Sequence, residues 1–143
     1  SREGLQALAA ELNDPDAVTF YGSVPAQQVP AFTSLADALL ISLADTPDLG
    51  MTIPGKLASY MAAGKPVVAA MNGAGAEAVR QSGGGLVSAA CDEDALARNL
   101  LTLCAMSATQ RGEMGQKAKE YYEKHYRRAE LLRRLETFIL QGN

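Results

Sequence analysis

The residues of this chain best suited to chemistry run Gly50-Met51-Thr52-Ile53-Pro54-Gly55-Lys56-Leu57-Ala58-Ser59. Pro54 suits the first position of a helix, where a missing N–H costs nothing. A helix that opens there presents free backbone N–H groups and the positive end of its dipole. Gly55 lets a ligand approach the backbone, and Lys56 adds a mobile cation one residue later. Together these are the parts of a diphosphate cradle, although the same residues also read as ordinary capping with a solvated lysine. The phosphate-loop pattern GxxxxGK[ST] is absent, because Leu57 follows Lys56 and no glycine ladder precedes it. Asn72-Gly73-Ala74-Gly75 forms a second glycine-rich turn, which either faces the same ligand or serves turn chemistry alone.

Short apolar, partly β-branched runs alternate with helix-like stretches, the mark of βα units and a mainly parallel sheet. Strands are expected over residues 18–21, 38–42, 67–70 and 86–88. Helices are expected over 2–12, 25–35, 54–63, 75–81, 93–104, 108–125 and 129–140. The eleven-residue loop before Pro54, residues 43–53, is long for a βα connection, which points to function. Asp92 and Ser107 carry short acceptor side chains suited to capping the helices that follow them. Leu96, Leu100, Leu103 and Cys104 repeat at helical spacing, as do Leu131, Leu135 and Phe138, so both stripes are expected in the core.

With 143 residues, 48% of them hydrophobic, the chain has one domain's worth of length and ample material for a core. That composition excludes a disordered or fibrous chain. No stretch is apolar enough to cross a bilayer, and no leader peptide is expected. Cys91 and Cys104 have no CxxC spacing and no neighbouring histidine, which argues against zinc or a redox pair and favours a reducing cytoplasm. His125, the single histidine, sits among charged and aromatic residues and is expected to be a solvated helix residue. The net charge of −3 conceals an asymmetry: residues 1–110 hold 5 basic and 11 acidic side chains, residues 111–143 hold 8 and 5. The basic segment reads as the wet face of helices, with contact to an anionic membrane surface as the sharper alternative. An acidic chain without aromatic-interleaved basic stretches makes nucleic acid the weaker partner.

These residues carry a resemblance. The run Val18-Thr19-Phe20-Tyr21-Gly22, the run Leu35-Ala36-Asp37-Ala38-Leu39-Leu40-Ile41-Ser42-Leu43, the block Ile53-Pro54-Gly55-Lys56-Leu57 with Tyr60-Met61-Ala62-Ala63-Gly64-Lys65-Pro66-Val67-Val68, then Asn72-Gly73, Gly84-Gly85-Leu86-Val87 and Asp94-Ala95-Leu96-Ala97 occur in order. In that order they resemble the donor-binding C-terminal half of retaining GT-B glycosyltransferases (family 4-like), which use nucleotide sugars to build bacterial polysaccharides and glycolipids. The resemblance implies a Rossmann-like, doubly wound α/β fold with C-terminal helices, shortened at its front. It makes residues 1–143 a single donor-binding domain of a larger two-domain enzyme.

By the same resemblance Thr52, Ile53, Pro54, Gly55 and Lys56 hold the diphosphate, while Gly22, Ser23 and Val24 border the nucleobase. The family's pair of glutamates eight apart falls on Met51 and Ser59, neither acidic, and Ser59 can still bond a ribose hydroxyl. The form resembles a subgroup that transfers amino-deoxy sugars. The implied function is hexosyl transfer from a UDP-linked donor to a lipid-linked or polysaccharide acceptor, without metal or cofactor, at the cytoplasmic face of the membrane. Catalytic residues are not assignable, because the family shares them with its N-terminal acceptor domain, the implied partner. Two alternatives are a sugar-nucleotide epimerase of the same architecture, which calls for histidines and carboxylates, and a non-catalytic α/β binding domain. With the front strands of the family absent, residues 38–42 become an apolar edge through which the chain is expected to self-associate.

Overall fold

The computed structural model describes residues 2–12 and 14–142. Among these residues three strands, β1 (Leu39–Ser42), β2 (Val67–Ala70) and β3 (Gly85–Ser88), form a parallel sheet in the order β1-β2-β3. Among the described residues eight α-helices surround or extend it, besides two 3-10 turns at Pro15–Ala17 and Ala26–Gln28: α1 (Arg2–Ala10), α2 (Val29–Leu35), α3 (Pro47–Met51), α4 (Gly55–Ala62), α5 (Ala74–Ser82), α6 (Glu93–Ala105), α7 (Ala108–His125) and α8 (Arg127–Gln141). The expected alternation of strand and helix therefore holds from residue 38 onward.

Register explains the layers. Leu39 pairs with Val67 and Val67 with Gly85, so Ile41, Ala69 and Val87 share one row and one face. That face meets Leu57 and Met61 of α4, Ala76 and Val79 of α5, and Ala118 of α7 in the main core. α6 packs on β2 and β3 from the opposite side. Covered on both faces, β2 is buried at all four residues, as a central parallel strand requires. β1 is covered less well: Leu39 and Ile41 are buried, whereas Leu40 remains 48% exposed. α7 comes very close to the loop before β2, where a Cβ on Gly115 would stand 2.2 Å from the Gly64 carbonyl oxygen.

Local signals gave the helix starts. Asp92 accepts a hydrogen bond from the Ala95 amide at 2.9 Å, and Ser107 forms a reciprocal capping box with Gln110. Two expectations fail for want of a neighbour, and a third holds only in part. Residues 18–21 form no strand: β-prone side chains favour an extended backbone, but a strand needs a ladder partner, and Tyr21 instead packs edge-to-face on Phe32 of α2, ring centroids 5.0 Å apart. Of the first helical stripe, Leu103 is buried, Leu96 is half-buried, and Leu100 and Cys104 are exposed. The second stripe lies outside the core altogether. Leu131, Leu135 and Phe138 are 56%, 54% and 77% exposed, because α8 runs past the domain and packs mainly on α7.

At the α7–α8 break Tyr122 donates its hydroxyl proton to Glu130 Oε2 (2.8 Å), and Arg134 donates to Glu130 Oε1 (2.6 Å). The Tyr122 bond, and after it the Arg134 charge, hold the Glu130 carboxyl below its ordinary range. His125 is exposed and stacks on Tyr121 at 4.2 Å. No described helix is long and apolar enough to cross a membrane.

Candidate functional site

The carboxyl ends of the three strands carry the loops that hold most of the expected site residues, the position at which open parallel sheets bind ligands. The connection from β1 to α4 is not a plain loop. Pro47–Met51 wind into the short helix α3, started by Pro47 in its first turn. This leaves Thr52, Ile53 and Pro54 as an exposed-to-half-buried extended link into α4.

α4 opens as expected. Pro54 is its N-cap residue, with extended backbone and no side chain closing the helix end. Leu57 N donates to the Pro54 carbonyl at 3.0 Å, but the amides of Gly55 and Lys56 find no acceptor among the described residues. Nothing lies within 4 Å of where a Cβ on Gly55 would stand. Lys56 is exposed and makes no ion pair among the described residues. Buried Leu57 and Met61 fix the helix to the sheet, so these open groups sit on a rigid support.

The glycine turn after β2 holds the loop in place. Gly73 has φ +79° and ψ −150°, and a Cβ there would stand 2.1 Å from the Gly50 carbonyl oxygen. Gly75 is buried, with its Cβ position 3.2 Å from Pro54 Cδ. Two residues earlier than Gly75, then, the backbone of α3 rests on glycine, and the start of α4 rests on Gly75 itself. Asn72 Nδ2 donates to Asp45 Oδ1 at 3.0 Å, while Asn72 Oδ1 accepts from the Ala90 amide at 3.2 Å. The sequence marks the Asn72-Gly73 turn but none of these contacts, and it does not single out Asp45. The only signal was an Asp three residues past a strand end.

Ser59 stands one turn into α4, and its hydroxyl donates to the Gly55 carbonyl at 3.1 Å. It lines a crevice of about 440 Å³ between α4 and α2, with Ala26, Val29, Pro30 and Thr33 on the far wall. Ser59 and the segment after residues 22–24 thus share one crevice. Gly22 has φ +77°, Gly22 and Ser23 are exposed, and Val24 is half-buried. No hydrogen bond among the described residues joins 22–24 to 52–56. Met51 is 82% exposed at the end of α3.

Residues 1–106 match the family model described as glycosyl transferases group 1. The chain belongs to that family. Among solved structures this glycosyl transferase chain is similar to sucrose-phosphate synthase from Thermosynechococcus elongatus, with a TM-score of 0.78 and 21% identity. The match covers 98% of this chain and 34% of that one, so the chain spans about a third of that structure's length. At that identity the likeness establishes the fold: a Rossmann-like α/β domain of GT-B type with a helical C-terminus. No curated protein matches the chain.

Proposed function

We propose that residues 1–143 are the donor-binding domain of a two-domain retaining glycosyltransferase, which moves a hexosyl group from a UDP-linked donor to a lipid-linked or polysaccharide acceptor. The subgroup is that of the amino-deoxy-sugar transferases, and the acceptor site belongs to an N-terminal domain of the same enzyme. The observation that carries this reading is the open start of α4: among the described residues the Gly55 and Lys56 amides find no acceptor, the Lys56 side chain makes no ion pair, and nothing stands over Gly55.

A departing nucleoside diphosphate concentrates about two negative charges that a preorganised site must offset. In this reading the α4 amides and the Lys56 ammonium do so, with Thr52, Ile53 and Pro54 shaping the approach. Ser59 has committed its proton to the Gly55 carbonyl, so toward a ribose hydroxyl it acts as an acceptor. Gly22, Ser23 and Val24 border the base. No metal or cofactor is called for, and the reaction proceeds at the cytoplasmic membrane face. Titration calorimetry with UDP, GDP and inorganic phosphate tests the reading: UDP binds measurably and without added divalent metal, and equal, negligible heats for all three overturn it.

A further inference from the structure

Among the described residues, the carboxyl edge of the sheet contains one carboxylate held in place from a different loop. Asp45 lies three residues beyond β1, Asn72 two beyond β2 and Ala90 two beyond β3. The Asn72 carboxamide joins all three, donating to Asp45 Oδ1 and accepting from the Ala90 amide. The same turn then touches the β1–α4 connection twice more, at Gly50 through Gly73 and at Pro54 through Gly75. One four-residue turn therefore sets Asp45 and the open end of α4 in a single frame.

Other acidic groups at this edge are differently employed. Asp92 caps α6 through the Ala95 amide, and Asp48 sits in the first turn of α3, where a negative charge suits the helix dipole. Met51 and Ser59, the positions at which the family resemblance would place acids, bear none. Asp45 keeps its second oxygen without a partner among the described residues, and it is exposed. A carboxylate so fixed is an acceptor for hydroxyl or amino hydrogens, and charge-assisted bonds of this kind are about twice as strong as neutral ones.

We infer that Asp45 is a specificity-determining residue that accepts hydrogen bonds from the hydroxyl or amino groups of the donor's sugar, with Asn72 as its positioning residue. The inference rests on the nucleotide-sugar reading of the α4 cradle. The two are separable, because the cradle grips the diphosphate that UDP and UDP-sugars share, whereas Asp45 meets only the sugar.

The experiment compares the binding of UDP, UDP-glucose and UDP-N-acetylglucosamine to the parent chain, Asp45→Asn and Asn72→Ala. Asn at position 45 keeps an oxygen for Asn72 Nδ2, so the loop tie survives while the charge is lost. The expected result is that Asp45→Asn lowers the ratio of UDP-sugar to UDP affinity by about tenfold or more for at least one sugar, leaving UDP itself within about twofold. Asn72→Ala lowers the same ratio. An unchanged ratio in Asp45→Asn, or equal losses for UDP and UDP-sugars, overturns the assignment of Asp45 while the cradle stands. If the parent binds none of the three, the cradle reading fails and takes the Asp45 assignment with it.

Discussion

Replacing Gly73 by Ala tests the contact that holds the β1–α4 connection against the sheet. Two costs add. At φ +79° and ψ −150° the backbone occupies a region that only glycine enters without strain, worth about 1–3 kcal/mol for any other residue. The new Cβ would also stand 2.1 Å from the Gly50 carbonyl oxygen and 2.5 Å from Gly50 Cα. Both are main-chain atoms, so relief requires moving α3 rather than turning a side chain, at about 1–3 kcal/mol more. The expected loss is therefore about 2–6 kcal/mol, a large part of the roughly 5–15 kcal/mol that a domain possesses. Gly112→Ala is the matched control. A Cβ there meets nothing within 4 Å, and Gly112 is inside α7, so the change should stabilise by about 0.5–1 kcal/mol. Urea unfolding followed by far-ultraviolet circular dichroism reads both. A Gly73→Ala variant within about 0.5 kcal/mol of the parent would refute the argument that Gly73 is required by the Gly50 contact.

Three further outcomes are expected. Lys56→Ala should weaken UDP binding about ten- to hundredfold, the loss of one charge-assisted contact of roughly 1.5–3 kcal/mol, whereas half-buried Lys65, beyond the far end of α4, should cost little when replaced; calorimetric titrations that cannot tell the two variants apart would sink the cradle. Because the folded-state pKa of Glu130 is depressed, its stabilising bonds across the α7–α8 break are fully present above the ordinary carboxylate range and lost as pH falls through the lowered value. Carbon-detected NMR titration should show Tyr122→Phe moving the Glu130 midpoint upward, and an unmoved midpoint would mean the hydroxyl bond does not hold it. β1 pairs only with β2 among the described residues and presents Leu40 at that edge, so light scattering should show concentration-dependent association that Leu40→Lys suppresses; a parent chain that stays monomeric at high concentration contradicts this.

Much of the architecture was legible in one dimension because the forces behind it act over a few residues. The βα alternation, the buried run at residues 67–70, the caps at Asp92 and Ser107 and the helix opening after Pro54 all follow from side-chain period and from hydrogen bonds that reach three or four positions along the chain. The open helix start at Pro54, Gly55 and Lys56 was legible for the same reason: a proline and a glycine at a helix start carry their structural meaning locally. What tertiary structure alone decided is which of these elements find partners. The helical period of Leu131, Leu135 and Phe138 is real, but period gives a face and not a neighbour, and α8 leaves that face open. β-prone residues at 18–21 likewise have no ladder to join. Asn72 bridges Asp45 and Ala90 across 27 and 18 positions of sequence, and Gly73 meets Gly50, because parallel strands bring all their carboxyl-end loops to one edge. Contacts between those loops depend on strand order and register, which no local pattern of residues encodes.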